Sequence, residues 1–300
     1  MDKRSSPVGN QTLVLLRGGG DLASGVALRL HRAGIQVVIT ELDRPLAVRR
    51  AVSFAEAVYE GQHTVEGVAA RLVEPEQLSA ALEAGEIPVL IDPEATILTH
   101  PQFTNSQPTN SQSTNYQFLV VIDARLLKLP PAPLPADVPL HIGLGPGFHA
   151  GVNCHAVVET RRSHTLGRVY WNGTTQPDSG QPEGEPRRVL RAPSDGILMG
   201  LKRIGEHCDS GELVAEVRTI KNRKSKIVSP LSGVLRGLIH DGLHVAKGLK
   251  IGDMDPRDDP SACFLVSDKA LAIGGAALEA ILTREEIRRN LFTAKDAKRR

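Results

Sequence analysis

Residues 12–21 read TLVLLRGGGD, an apolar run that stops abruptly at one arginine, three glycines and an aspartate. Such a run predicts a buried parallel strand. Residues 22–33 then place apolar side chains at the spacing of one helical face, and residues 36–40 form a second apolar run. Strand, helix and strand together span about 30 residues, the size of a βαβ unit. The sequence therefore predicts a Rossmann-like α/β domain at this end of the chain.

The glycines after the first strand form the first candidate binding loop. Gly18, Gly20 and Asp21 lie in a G-x-G-x-x-A pattern between a predicted strand and a predicted helix, and Glu41 ends the next strand. Glycines let a phosphate approach the backbone, while a carboxylate about 20 residues further on can bind ribose hydroxyls. The alternative is a tight strand-to-helix turn that binds no nucleotide.

Further candidates follow the later apolar runs at residues 89–91, 118–122 and 141–144, because α/β folds bind ligands at the carboxyl ends of their strands. Arginines past the second strand can receive a phosphate, although a solvated helix face is an equal alternative. The second glycine-rich loop is typical of an anion-binding nest. The additional predicted binding residues are Arg49, Arg50, Asp123, Arg125, Gly143, Gly145, Gly147, Glu159 and Arg161. No catalytic residue is assigned, and no histidine has metal-ligand spacing, so no metal is expected.

An internal repeat marks the second half of the chain. Residues 195–212 align with residues 232–249 at an offset of 37, with matched glycines and apolar positions. This pattern predicts two similar strand-turn-strand halves, which would face each other in a β-rich barrel-sandwich domain. Residues 267–289 then predict a helix that packs back on the first domain, and Gly274 and Gly275 inside it predict close packing against another element.

These features divide the 300 residues into segments with different expected structures. The repeated TNSQ stretch cannot build a core, and the Gly-, Pro- and Gln-rich stretch is typical of a domain boundary. We expect a disordered N-terminus (1–11), a Rossmann-like ligand-binding domain (12–171) with a polar loop insertion (104–117), a linker (172–188), a barrel-sandwich hybrid domain (189–256) and a C-terminal helical segment (261–292).

Composition narrows the possible functions. The 36 Lys and Arg against 34 Asp and Glu produce no broad cationic field, and aromatic residues are only 3%, so nucleic-acid binding is not expected. The three cysteines are scattered, which favours a reducing compartment. No secretory h-region and no run approaching about 20 apolar residues is present, so a cytoplasmic protein without a membrane span is expected.

Several motifs, in order, carry a resemblance to a known family: GGGDLASG, TELDRPLAVRR, IDAR, GLGPGFHAGVNCHAVVET, SPLSGVLRGL and KIGDMDPR. The chain resembles the accessory-protein family of the selenium-dependent molybdenum hydroxylase system, also called the YqeB type. The resemblance implies a cytoplasmic accessory or maturation factor whose partner is a xanthine dehydrogenase-like molybdenum hydroxylase or its maturation machinery. It names a pathway more clearly than a reaction.

We therefore expect a phosphorylated small-molecule ligand, either a molybdopterin-type cofactor or a nucleotide, in a crevice between the two glycine-rich loops. Two alternatives remain at this point. One is a nucleotide-dependent oxidoreductase that uses the first loop, and the other is a non-catalytic docking scaffold. The repeat is also similar to biotinyl and lipoyl carrier domains, which raises the hypothesis that Lys221, near the hairpin between the halves, is modified.

Overall fold

The computed structural model of the protein describes residues 11–103, 116–180, 185–219 and 223–296. Most of the predicted 1–11 terminus, residues 104–115 of the predicted insertion, and Lys221 lie outside the described residues. The strands up to residue 174 are β1 (Gln11–Arg17), β2 (Gln36–Glu41), β3 (Gln62–Val65), β4 (Val68–Leu72), β5 (Ile87–Ile91), β6 (Tyr116–Asp123), β7 (Leu140–Leu144), β8 (His149–Ala150), β9 (Ala156–Val158), β10 (Val169–Tyr170) and β11 (Gly173–Thr174). The helices are α1 (Asp21–Arg32), α2 (Ala57–Glu60), α3 (Leu78–Glu83), α4 (Asp268–Thr283) and α5 (Glu285–Asp296).

Nine of these strands form one mixed sheet in the order β10-β9-β7-β6-β1-β2-β5-β4-β3. Neighbours from β9 through β4 run parallel, while β3 and β10 pair antiparallel at the two edges. The two remaining strands, β8 and β11, pair with each other. The carboxyl ends of β1, β2 and β6 therefore lie side by side at one edge of the sheet, where they can surround a ligand.

The central strand β1 is buried on both faces, as the unbroken apolar run predicted. Val14 and Leu16 pack into a cluster with α1 and α4, whereas Leu13 and Leu15 pack into a second cluster with α3. Alternate side chains of a strand point to opposite faces, so one short run supplies both clusters. The sheet thus has a helix-covered core on each side.

Helix α4 lies against α1 although more than 200 residues separate them in the chain. The Ser267 side chain accepts a hydrogen bond from the Ala270 N–H, which caps the N-terminus of α4. A Cβ added at Gly274 would lie 2.7 Å from the Gly25 carbonyl oxygen, so this glycine permits the close approach. At Gly275 a Cβ would meet no described atom within 4 Å, so close packing explains only the first of the two glycines.

The internal repeat is confirmed by the strand pattern. The strands are β12 (Val189–Arg191), β13 (Gly196–Gly200), β14 (His207–Cys208), β15 (Leu213–Arg218), β16 (Lys224–Val228), β17 (Gly233–Leu238), β18 (His244–Val245) and β19 (Lys250–Asp255). They form two antiparallel sheets of equivalent order, β16-β15-β13-β18 and β12-β19-β17-β14. Gly196 and Gly233 adopt φ of +152° and +154°, and a Cβ on either would meet a carbonyl oxygen at 2.3 Å. Equivalent strands thus require glycine at equivalent points.

The predicted fold class is wrong. We expected a Rossmann-like domain followed by a barrel-sandwich (biotinyl/lipoyl-like) domain and a C-terminal helix. The structure instead has a nine-stranded mixed sheet with antiparallel edges and separate four-stranded antiparallel sheets. The chain passes from β2 to β5 through the β3–β4 hairpin as well as helical turns, and the C-terminal segment forms two helices that break at Arg284. Gln62, His63 and Thr64 of the edge strand β3 are polar, so no apolar run marked the β3–β4 hairpin in the sequence. The predicted domain limits remain a proposal.

No helix in the described part of the chain combines the length and the apolar character that crossing a membrane requires.

Candidate functional site

A cleft of about 1190 Å³ lies where the carboxyl ends of β1, β2 and β6 face the sheet that contains β17 and β19. Its lining is rich in charge, with nine Lys or Arg residues against six Asp or Glu residues. The basic residues are Arg17, Arg49, Arg125, Arg162, Arg188, Arg236, Lys250, Arg257 and Lys269, and the acidic residues are Asp21, Glu41, Glu94, Glu185, Asp253 and Asp255. A concave site with an excess of cationic groups favours an anionic ligand.

Six of the predicted site residues line this cleft: Gly18, Gly20, Asp21, Glu41, Arg49 and Arg125. They come from three connections that are distant in the sequence and adjacent in the sheet, because β2 and β6 both pair with β1. The parallel pairing brings the ends of these strands together, as the strand-end argument predicted.

The first glycine loop is closed by Glu41. The Gly19 N–H donates to Glu41 Oε2 (2.6 Å), and the Leu42 N–H donates to Glu41 Oε1 (2.8 Å). Burial raises the pKa of this carboxyl group, while the two backbone hydrogen bonds lower it. Glu41 therefore holds the loop in shape with both oxygens, rather than presenting a carboxylate with unused oxygens to a ribose.

Gly20 is the N-cap residue of α1 and lines the cleft. Its backbone has φ −66°, an ordinary value, and a Cβ built on it would meet no described atom within 4 Å. Gly18 differs because its φ of +90° favours glycine. Glycine is thus favoured at position 18 by the backbone conformation, whereas at position 20 it leaves open space in the cleft.

Arg49 is a buried cation with unused donors. Its side chain is 8% exposed, its Nη2 donates to the Leu265 carbonyl (2.9 Å), and its Nη1 lies 3.6 Å from the Asp21 carboxylate. Its Nε and Nη1 have no hydrogen-bond partner among the described residues. Burial lowers the pKa of Arg49, and the nearby Arg236 lowers it further. A buried guanidinium with unsatisfied N–H groups on a cleft wall is a ready site for an anion.

Asp123 holds two arginines at the floor of the cleft. The carboxylate is fully buried and accepts two hydrogen bonds from Arg125, from Nε (2.9 Å) and Nη2 (2.6 Å). Arg17 Nη1 lies 3.6 Å from the same carboxylate, and Arg17 Nη2 donates to the Pro93 carbonyl (2.7 Å). Asp123 does not line the cleft among the described residues, so it positions the arginines that do.

The opposite wall was missed by the sequence reasoning. Asp253 and Asp255 lie two residues apart on β19, so their side chains share a face. Arg188 hydrogen-bonds Asp253, and Arg257 donates to Asp255 through Nε (2.9 Å) and Nη2 (2.6 Å). Arg236 lies 3.8 Å from Asp253 and 3.7 Å from Asp255. The spacing of the two aspartates in KIGDMDPR was the available signal, but only the fold shows what faces them.

Three of the predicted polar residues, Arg50, Glu159 and Arg161, are not among the described residues that line the cleft. Arg50 donates to the Leu238 carbonyl (3.1 Å) and to Glu56 (2.9 Å), which ties the segment after β2 to the repeat. Glu159 is 1% exposed and accepts hydrogen bonds from the Arg161 and Gln176 N–H groups, 2.8 Å each. Arg161 has an exposed side chain. Their hydrogen bonds stabilise connections in the fold.

The second glycine-rich loop also lies away from the described cleft lining. A Cβ at Gly143 would lie 2.1 Å from the Phe148 ring, and one at Gly147 would lie 2.6 Å from the carbonyl oxygens of Leu127 and Leu129. Gly145 has φ +91°. These glycines serve close packing and backbone conformation, which the sequence alone does not distinguish from anion binding.

The chain is similar in sequence to a curated protein that is about twice its length. No family model matches the chain. The chain is 42% identical over 287 residues to the "Uncharacterized protein YqeB" of Escherichia coli K12, a match that covers 94% of this chain and 49% of the relative. The chain thus spans about half the length of the curated relative it matches.

Solved structures give weak likenesses. The ectoine utilization protein EutE (DoeB) of Ruegeria pomeroyi is 12% identical with a TM-score of 0.26, covering 82% of this chain and 85% of that one. An aspartoacylase family protein of Mesorhizobium loti (13%, TM-score 0.26, 82% and 85%) and a succinylglutamate desuccinylase/aspartoacylase of Rhodobacter sphaeroides (13%, TM-score 0.26, 82% and 86%) are similar to the same extent. Scores this low carry no argument for a reaction.

These comparisons correct the predicted function. The predicted role as an accessory or maturation factor of a molybdenum hydroxylase is corrected, as is the predicted molybdenum-cofactor binding. The curated relative is described as an uncharacterized protein, and the solved structures found are named as ectoine-utilization, aspartoacylase-family and desuccinylase proteins. They lend no support to the oxidoreductase or docking-scaffold alternatives, and the predicted partner proteins stay a prediction. The sequence similarity supports a YqeB-type family for this chain and does not extend to the selenium-dependent molybdenum hydroxylase role.

Proposed function

We propose that the protein binds a small organic polyanion in the cleft between the mixed sheet and the β17–β19 wall. The observation that carries this proposal is the Arg49 guanidinium, which is buried on the cleft wall. Its Nε and Nη1 make no hydrogen bond to a described residue, and Nη1 lies 3.6 Å from the Asp21 carboxylate. A buried donor without a partner costs about 1–3 kcal/mol. An anionic group that accepts from Arg49 removes this cost, which gives the folded protein a specific reason to bind an anion there.

The surrounding charges support the same conclusion. Arg17 and Arg125 share the single carboxylate of Asp123, so two guanidinium groups stand against one buried negative charge. Arg188, Arg236 and Arg257 likewise share Asp253 and Asp255. Among the described residues that line the cleft, cationic groups outnumber carboxylates by nine to six, and an anionic ligand reduces this excess.

The size of the cleft indicates a small molecule rather than a lone ion. Sites for small-molecule ligands usually enclose about 300–1000 Å³, and this cleft has about 1190 Å³. Gly20 leaves open space beside the first turn of α1, where the partial positive charge of a helix N-terminus adds to that of Arg49. Phosphate and carboxylate groups would both satisfy these donors.

The test is isothermal titration calorimetry of the full chain with inorganic pyrophosphate and with citrate, which separates phosphate from carboxylate chemistry. We expect Arg49→Gln to weaken binding by about tenfold or more, because a hydrogen bond to a charged group contributes about 1.5–3 kcal/mol. Arg161→Gln is the matched control, since it removes the same charge from an exposed site outside the described lining. Gly20→Val should weaken binding without strain in the backbone.

Thermal unfolding of each variant shows that it remains folded. If neither anion binds the unaltered protein, or if folded Arg49→Gln binds as tightly as Arg161→Gln, the proposed function is wrong.

A further inference from the structure

Three leucines of the cleft lining expose apolar surface where a charged site would be expected to have none. Leu42 is 48% exposed, Leu46 is 45% exposed and Leu126 is 37% exposed, and all three line the cleft. Leu42 and Leu46 follow β2, while Leu126 follows β6, so the apolar surface comes from two neighbouring connections of the sheet. Exposed apolar side chains in the lining of a concave site mark surface that a ligand covers.

Leu126 has a second unusual property. Its φ is +57°, in the left-handed region that leucine rarely adopts and that costs roughly 1–2 kcal/mol for a residue with a Cβ. The chain is fixed on both sides of it, because the Ala124 N–H donates to the Arg17 carbonyl (2.9 Å) and the Gly147 N–H donates to the Leu127 carbonyl (2.8 Å). A strained backbone that presents an apolar side chain to a cleft is typical of a functional position.

The residue type makes the observation sharper. Glycine or asparagine would occupy this conformation at lower cost. The folded chain nevertheless places there a large apolar side chain that is more than one-third exposed, so neither the backbone conformation nor burial in the core explains the leucine. Contact with an apolar part of a ligand does explain it.

We propose that the ligand is amphiphilic: a small organic anion whose charged group meets Arg49 and whose apolar body, an aromatic ring or an alkyl chain, lies against Leu42, Leu46 and Leu126. This inference rests on the proposed function and names the ligand class of the same site. The arginines of the lining supply charge complementarity to the ligand, and the leucines of the same lining supply apolar contact. A phosphate or carboxylate without an apolar body leaves the leucines uncovered and binds more weakly.

The test compares two probes on the full chain. Anilinonaphthalene sulfonate carries an anionic group and an apolar ring system, whereas inorganic pyrophosphate carries charge alone. We expect the fluorescent probe to bind in competition with pyrophosphate. Leu126→Asn keeps a residue that tolerates the left-handed conformation, so its thermal unfolding midpoint should equal or exceed that of the unaltered protein. The substitution should weaken the affinity for the sulfonate probe by about fivefold, or about 1 kcal/mol, and change the affinity for pyrophosphate by no more than about twofold.

Leu129→Asn is the matched control, because Leu129 is 77% exposed in the same segment and lies outside the described cleft lining. It should change neither probe. Suppose that pyrophosphate binding depends on Arg49, but the sulfonate probe does not compete with it or binds Leu126→Asn unchanged. That result overturns the amphiphilic ligand and leaves the proposed function intact. Absence of Arg49-dependent pyrophosphate binding overturns both.

Discussion

Two adjacent glycines in α4 should respond in opposite directions to the same substitution. A Cβ on Gly274 would lie 2.7 Å from the Gly25 carbonyl oxygen and 2.8 Å from Arg29 Cγ. A Cβ on Gly275 would meet no described atom within 4 Å, and this residue is exposed. The pair therefore separates the effect of helix propensity from the effect of packing between α1 and α4.

The magnitudes follow from these distances. Alanine is favoured over glycine in a helix interior by about 1 kcal/mol, so Gly275→Ala should raise the free energy of unfolding by about that amount. Gly274→Ala has the same gain, but the added methyl group meets backbone that cannot move without separating the helices, which costs about 2–3 kcal/mol. The net expected effect is a loss of about 1–2 kcal/mol, and the two variants should differ by about 2–3 kcal/mol.

Urea unfolding followed by far-ultraviolet circular dichroism measures both variants against the unaltered protein, with the midpoints compared at equal slopes. If Gly274→Ala is as stable as Gly275→Ala, the close contact between α1 and α4 is not present and the packing argument fails. If Gly275→Ala gives no gain, the argument from helix propensity fails instead.

Two further predictions concern buried ionisable groups near the cleft. Asp123→Asn should lower the free energy of unfolding by about 3–5 kcal/mol, because Arg17 and Arg125 lose their buried countercharge; an unchanged urea midpoint would contradict this. Burial lowers the pKa of His141 to about 4, whereas a histidine in an unfolded chain has a pKa of about 6.5. As the pH falls, the unfolded state therefore takes up a proton before the folded state does. The free energy of unfolding should fall by about 2–3 kcal/mol between those two pH values. His141→Phe should remove that part of the acid sensitivity in urea midpoints measured at pH 7 and pH 4.5, and an equal fall in both proteins would exclude His141 as its source.

Local elements were predicted well where one short segment contained the whole signal. The first strand was predicted over residues 12–16 and the first helix over residues 22–33, and the structure has Gln11–Arg17 and Asp21–Arg32. The strand is an unbroken apolar run, the helix has its apolar residues on one face, and glycines follow closely after both, so the pattern and its limits are visible in the sequence. The β3–β4 hairpin was missed because the edge strand β3 contains a single apolar residue, Val65.

The candidate site was predicted on one side only. Six of the thirteen predicted binding residues line the cleft, and all six follow β1, β2 or β6. The β17–β19 wall was missed because its position depends on contacts such as Arg50 with Leu238, between residues 188 positions apart. Gly143 and Gly147 are needed for close packing, and the sequence does not distinguish such glycines from glycines that face a ligand.

Three features can be predicted from the amino-acid sequence alone: the buried central strand, the glycine turn into α1, and the repeat with its paired glycines. These depend on backbone conformation and on periodicities of a few residues, which are local properties. The folded chain is needed to show which glycines face open space, which arginines share a carboxylate, and which leucines remain exposed in the cleft. Those properties depend on residues from distant segments of the chain, because burial and the pairing of charges are set by neighbours in space and not by neighbours in sequence.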